Sequence, residues 1–415
     1  MVTKVLLLTQ WFDPEPTFKG LVFARELVQQ GFEVEVVTGF PNYPGGKVYS
    51  GYRIKWLQRE IIDGVHITRV PLYPNHNQSA IRRFLNYASF ASSSLIYGLF
   101  AAKRPDVIYA YHPPLTVGIT AVLIRFFRKI PVVYDIQDMW PDTLRATGMV
   151  SSPRVLGIVS KICDWVYRHV DQIVVLSPGF KRLLIERNLP DEKISIIYNW
   201  CDEASLNQPT GALPSSFPTK DKFRILFAGN MGKAQALDSV LEAADIIAKQ
   251  FPKICFVFVG GGVEVDRLKR SAVEKSLTNV SFLPPVLMSE VGCLLQEADA
   301  LLVHLRKDPL FEITIPSKTQ AYMAVAKPIL MAVNGDAASL VKDADCGIVA
   351  ESENPTAIAM AAQMLYEHSV EKRQQMATNS HDFYNEVLSL RVGVAAFGVI
   401  FNQFNKNLPK PLLNL

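Results

Sequence analysis

Cysteine is scarce and scattered in this chain of 415 residues. Cys163, Cys201, Cys255, Cys293 and Cys346 form no CxxC pair. An odd, dispersed set argues against a disulfide frame and a zinc site, and points to a reducing compartment. The seven histidines are widely spaced and include no HExxH. Residues 1–40 contain no GxGxxG, which makes a dinucleotide-dependent oxidoreductase the least favoured enzyme class. The dense basic stripe that a nucleic-acid partner would require is missing. The opening MVTKVLLLTQWF has an apolar run too short for a secretory signal, so the folded body is expected in the cytoplasm.

Apolar residues make up 49% of the chain and charged residues 20%, a globular composition. The length exceeds one ordinary core, so two domains are expected. Residues 1–205 hold 23 Lys and Arg against 18 Asp and Glu; the remainder holds 20 against 21. The positive excess of the first half suits an anionic partner such as a membrane surface or a lipid phosphate.

A βαβ opening occurs twice. Val5 to Thr9 reads as a buried strand, 10–20 as a loop, Leu21 to Gln30 as a helix closed by Gly31, and Phe32 to Thr38 as the next strand. About 220 residues on, Phe223 to Ala228 (strand), a glycine-punctuated loop, Leu237 to Gln250 (helix) and Ile254 to Val259 (strand) repeat the pattern. Two doubly wound α/β domains follow, with ligands expected beyond the carboxyl ends of their strands, in a cleft. The first spans 1–204, the Pro/Ser/Gly/Thr-rich stretch 205–222 is the linker, and the second spans 223–384. Residues 385–415 include an apolar helical face that could return to the first domain. Residues 81–104 are apolar in the middle and bracketed by Arg82-Arg83 and Lys103-Arg104. They suit a helix lying in a membrane interface, or one packed on the first sheet.

The candidate chemistry sits at strand ends. Gly229, Asn230, Gly232 and Lys233 form a turn where glycine lets backbone approach a diphosphate. Gly260, Gly261 and Gly262 add a second such loop. A third runs through Glu312, Thr314, Ile315 and Pro316 to Ser317-Lys318, a helix start whose N–H groups and dipole favour an anion; an ordinary βα turn would look the same. Asp135, Gln137 and Asp138 end the strand PVVY, where a carboxylate can orient a hydroxyl or take a proton, or serve only as a salt-bridge or cap. His112, after strand 107–111, is the histidine expected to face the cleft. Asp343 and Asp345 mimic a metal-binding DxD but read as surface.

At these residues the chain resembles the family-4 retaining glycosyltransferases of GT-B fold, and more narrowly the WbuB-type transferases of L-fucosamine and related N-acetyl amino sugars in bacterial O-antigen and capsule synthesis. The resemblance covers nearly the whole chain and rests on TQWFDPEP, FPNYPGG, PPLTVG, DMWPD, GNMGKAQ and PSKTQAYMAVAKPIL. It implies a UDP-sugar donor, an acceptor saccharide on a polyprenyl diphosphate at the cytoplasmic membrane face, and no metal or other cofactor. Carried over, it assigns the donor diphosphate to Gly229–Lys233 and Thr314–Lys318, with the nucleoside near Gly260–Gly262 and Val286-Leu287. Gly20 falls near the β-phosphate, with Lys19 where many relatives have a first glycine. Gln137 and Asp138 fall beside the reacting sugar, and His112, Asp138 and Trp140 on the acceptor side.

The chain departs from the family in one place. Many members carry two glutamates eight positions apart before and within the 317 helix, and the second aligns here with Ala321. Glu312, one place from the position of the first, is the residue expected on the donor-sugar side. The implied mechanism is front-side attack, with the diphosphate charge met by Lys233, Lys318 and helix N–H groups. A GT-B sugar-nucleotide epimerase and a non-catalytic sugar-nucleotide-binding scaffold are the alternatives.

Overall fold

The computed structural model describes residues 2–75, 80–207, 211 and 213–406. The chain divides into two compact units. One takes in residues up to Leu176, Phe180–Ile197 and the chain from Gly393 on; the other holds Ser177–Gly179 and Tyr198–Val392.

In the first unit, short runs of valine, isoleucine and leucine become β1 (Lys4–Leu8), β2 (Glu33–Thr38), β3 (Gln58–Ile62), β4 (Val65–Arg69), β5 (Val107–Tyr111), β6 (Val132–Ile136), β7 (Gln172–Val175) and β8 (Ile194–Ile196). They form one sheet in the order β3-β4-β2-β1-β5-β6-β7-β8. Every pairing is parallel except β3 with β4. All five residues of β5 and of β6 are buried, as strands covered on both faces must be. Helix α1 (Leu21–Gln29) connects β1 to β2, whereas α2 (Ala80–Phe100) and α3 (Leu115–Arg128) carry the chain the other way along the sheet. Right-handed crossovers put the two sets on opposite faces.

Stretch 81–104 is therefore mostly α2, packed side by side with α3. A Cβ on Gly98 would stand 2.4 Å from Ile124 Cδ1, Thr120 Oγ1 donates to the Ala91 carbonyl (3.3 Å), and Arg128 donates to the Gly98 carbonyl (2.5 Å). Packing leaves apolar side chains bare towards both ends of α2: Ile81, Phe84, Leu85, Ile96 and Phe100 are exposed.

The final helix, Leu390–Asn402, supplies the α1 side of the first unit from Gly393 on. Phe397 meets Phe23 at 5.3 Å and Tyr109 at 5.2 Å between ring centroids, and Phe401 meets Tyr109 at 5.5 Å. Thr3 donates to Asn402 (2.6 Å). By length and apolarity the run Val370–Asn402 could also cross a membrane, but Phe397 and Phe401 are fully buried in this aromatic cluster. Residues 407–415 of the expected return lie outside the described residues.

The second unit contains β9 (Phe223–Ala228), β10 (Ile254–Val259), β11 (Val280–Leu283), β12 (Ala300–His304), β13 (Ile329–Ala332) and β14 (Gly347–Val349). All pair in parallel in the order β11-β10-β9-β12-β13-β14, the doubly wound arrangement whose order reverses beside β9. Its boundary differs from the expected one. Tyr198 to Asp202 already belong here, and 203–207 is a short helix rather than linker. Cys201, Leu206 and Phe217 join the core cluster of this unit, and Tyr384 donates to Glu203 (2.8 Å). Proline and serine signal a break in regular structure, but the apolar residues among them still find a core to enter. Residues 208–210 and 212 of that stretch lie outside the described residues.

Candidate active site

In the second unit the three expected loops converge at the carboxyl ends of β9, β10 and β12. Gly229 leaves β9 with φ 131°, and Gly260 and Gly262 leave β10 with φ 134° and 145°. The last two are glycine because backbone crosses them: a Cβ on Gly260 would stand 2.1 Å from the Gly229 carbonyl oxygen, and one on Gly262 2.3 Å from that of Met231. Met231 N donates to Gly261 (2.7 Å) and Gly229 N to Val259 (2.9 Å), which locks the two turns together. Gly229 and Asn230 stay exposed.

Gln235 holds the first turn, and the sequence reading missed it. Its side-chain oxygen accepts from Gly232 N (3.0 Å) and faces Asn230 Nδ2 at 3.5 Å. The buried His304 at the end of β12 fixes Gln235 in turn, Nδ1 lying 2.6 Å from its carbonyl oxygen, while Arg306 N donates to Ala234 (2.9 Å). A glutamine two residues after a lysine carries no sequence signal of this role. Lys233 itself is exposed at the edge of the turn.

The helix Ser317–Ala324 starts after Pro316 as expected, but no side chain caps it. Ser317 is exposed, and its hydroxyl does not cap the helix. Tyr322 ties the helix to β9 by accepting from Ala228 N (2.8 Å). Lys318 takes the central position. Its amine is shut off from solvent, finds no hydrogen-bond partner among the described residues, and rests 3.4 Å from the centroid of the Phe227 ring. A Cβ on Gly229 would be 3.5 Å from it. Burial lowers its pKa to about 7. A shielded amine against a ring face, beside an exposed glycine turn and a helix start, has the chemistry to accept an anion.

The other residues of this loop are partly spoken for. Thr314 Oγ1 donates to Leu310 (2.7 Å), and Ile315 is buried in the core. Glu312 ends a short helix, Pro309–Glu312, half-exposed, and its carbonyl oxygen is what a Cβ on Gly335 would strike at 1.9 Å. Gln320, eight positions after Glu312, is buried and presents no group to solvent. Arg306 is paired with Asp308 (3.1 Å) and Lys307 with Glu351 (3.0 Å). Asp345 is a surface residue paired with Lys372 (3.4 Å).

In the first unit, β5 and β6 bring Asp135, Gln137, Asp138, His112 and Trp140 to one sheet end. Asp135 and Gln137 share a side, as alternation predicts: Gln137 donates to one oxygen of Asp135 (2.6 Å) and Tyr109 to the other (2.5 Å). Asp135 is fully buried, so its role is internal. Burial raises its pKa, and the charge of Lys19 opposes that shift. Lys19 is buried too, lowered to about 8 by burial, its amine 5.2 Å from the Phe397 ring. Asp138 remains half-exposed, its carboxyl raised by partial burial. His112 is buried and packs edge-on against Trp140 at 5.3 Å. Burial depresses its pKa to about 3, so it is neutral. Gly20 is closed in: the Asp13 carboxylate that accepts from Leu21 N (2.5 Å) fills the space beside it. The start of α1 thus already carries an internal anion.

Two family models and several known proteins match the chain. Residues 21–200 match the family described as a glycosyl transferase 4-like domain, and 213–383 the family described as glycosyl transferases group 1. The chain is 28% identical to a protein of Escherichia coli K12 named as a colanic acid biosynthesis glycosyl transferase, WcaI, over 78% of this chain and 81% of that protein. Among solved structures it resembles HepE of Anabaena, crystallised with UDP and glucose (TM-score 0.64, 16% identity, 96% and 99% of the two chains). It also resembles a sucrose-phosphate synthase of Thermosynechococcus elongatus (0.71, 13%, 97% and 98%).

Proposed function

We propose, from the premise that this chain is a glycosyltransferase of GT-B fold with a glycosyl transferase 4-like domain and a glycosyl transferases group 1 domain, that it moves a sugar from a UDP-sugar to a polyprenyl-diphosphate-linked saccharide. The sugar we favour is an N-acetylated amino sugar such as N-acetyl-L-fucosamine, transferred with retention in the synthesis of a bacterial surface polysaccharide. The name of WcaI supports the polysaccharide setting, and the HepE structure supports UDP.

The observation that carries the donor half is the buried, unpartnered amine of Lys318 beside the Gly229 turn. A diphosphate placed there gains a desolvated cation, the free N–H groups of the 317–324 helix, and Lys233 from the exposed side. As the sugar–phosphate bond breaks, these groups meet the growing charge on UDP. The leaving phosphate takes the acceptor proton, so no strong protein base is demanded, and the reaction is written without a metal. Asp138 and Trp140 are assigned to the acceptor, and His112 supports the Trp140 ring. The bare apolar stripe of α2 and its flanking arginines support docking at the cytoplasmic face of the membrane.

The decisive experiment is calorimetric titration with UDP, GDP and dTDP, followed by transfer assays on a panel of lipid-diphosphate saccharides. UDP should bind most tightly, and Lys233→Ala should cut turnover far more than folding stability. Wild-type turnover in that variant would remove Lys233 from the phosphate site. Added EDTA should leave turnover unchanged; loss of activity restored by a divalent ion would refute the metal-free scheme.

A further inference from the structure

A second set of chemical groups gathers at the carboxyl ends of β1 and β2, in the same unit as Asp138 and Trp140. Trp11 leaves β1, and Tyr43 lies in the loop after β2. Their rings stand 4.6 Å apart at 31°, both half-exposed. The pair is held from beneath. The buried Glu15 carboxylate accepts from Asn42 N and Tyr43 N (2.7 Å each) and Phe12 N (3.3 Å), which clamps the second loop onto the first. Gln10, also buried, donates to Asn86 of α2 (2.6 Å), and Asn86 donates to the Tyr73 carbonyl (2.7 Å). Because Gln10 and Asn86 touch, Trp11 is brought to the first turns of α2.

Those turns are chemically one-sided. Arg83 and Tyr87 lie four apart on one face, and the Tyr87 hydroxyl feels the charge of Arg83 and the hydroxyl of Tyr43. Ile81, Phe84 and Leu85 form the neighbouring stripe, 73%, 64% and 48% exposed. The 21 residues of α2 include no acid. A tilted pair of half-open rings, a guanidinium and a bare apolar stripe therefore adjoin one another at a ligand-binding sheet end. Each matches one part of a single molecule. A ring face suits the C–H face of a sugar, a guanidinium suits a diphosphate, and the stripe suits an isoprenoid chain.

We infer that Trp11, Tyr43, Arg83 and Phe84 form the binding site for a lipid-diphosphate-linked saccharide: the rings take its sugar, Arg83 its diphosphate and the α2 stripe the start of its lipid. The inference rests on the transferase reading above and names the residues that hold its acceptor.

The test is steady-state transfer by the full chain with three acceptors: polyprenyl-diphosphate saccharide, a short-chain alkyl-diphosphate saccharide and the free saccharide. Trp11→Ala should raise the acceptor KM about tenfold or more on all three while kcat holds. Arg83→Gln should raise it similarly on the two diphosphates and leave the free saccharide unaffected. Phe84→Ser should act only on the polyprenyl acceptor. Tyr43→Leu repeats the first arm should Trp11→Ala fold poorly, and UDP affinity checks that each variant is intact. Wild-type acceptor KM in both the ring and Arg83 variants would overturn the site. Equal losses on all three acceptors in every variant would overturn the division of labour and the site with it. Failure of the wild-type chain to use any acceptor while binding UDP would instead overturn the transferase reading beneath it.

Discussion

Lys318 is a lysine whose amine the fold shields from solvent. A lysine amine enters a protein interior at a cost, and here the Phe227 ring face partly offsets it. The lowered pKa of about 7 gives a signed prediction. An unfolded chain keeps the proton up to the ordinary value of 10.5, so between about 7 and 10.5 the unfolded state binds more protons. Stability of the ligand-free protein should therefore rise with pH across that window relative to a Lys318→Met variant, and the difference should be flat below it. A bound diphosphate favours the charged amine, so UDP affinity should be highest below pH 7 and decline above it. Lys318→Met should weaken UDP by about tenfold or more and abolish this pH trend. Titration calorimetry from pH 6 to 9 checks both. At the acceptor end, Asp138→Asn should lower turnover with UDP affinity unchanged; normal transfer would remove Asp138 from the reacting zone.

At the scale of the element, the adjacent glycines Gly260 and Gly261 after β10 look alike in sequence and differ in consequence. Gly260→Ala would drive a methyl into the Gly229 carbonyl at positive φ, whereas the nearest atom to a Cβ on Gly261 is Pro285 Cγ at 3.2 Å. Urea unfolding should show a loss of about 2–4 kcal/mol for Gly260→Ala and under about 1 kcal/mol for Gly261→Ala. The same contrast marks what sequence can tell. β5 and β10 were readable to the residue because continuous apolar runs admit few alternatives. β3 (QREII) was not, since a half-exposed edge strand in a hairpin carries little apolar signal. Of the candidate site, the glycine turns and the 317 helix start stood out through backbone chemistry. Gln235 and the burial of Lys318 did not, because both depend on partners 69 and 91 residues away, His304 and Phe227. Trp11 and Tyr43 lay inside quoted motifs, yet only folding makes them neighbours.

For the whole molecule, the two units should answer to different ligands. Hydrogen exchange with saturating UDP should slow amides at 228–235 and 314–320 in the second unit, since a ligand raises the cost of opening where it binds. Vesicles with anionic lipid should retain the chain through the first unit. Retention should fall with salt and when Phe84 and Phe100 are both changed to serine; equal retention on neutral vesicles at high salt would deny the electrostatic part.

The aromatic cluster of Tyr109, Phe397 and Phe401 has a consequence for biogenesis. Translation delivers β5 nearly three hundred residues before the phenylalanines that cover it. The nascent amino-terminal half must leave the ribosome with an open greasy flank, in need of a chaperone or of time. Until Phe397 and Phe401 have been read, that half cannot finish folding.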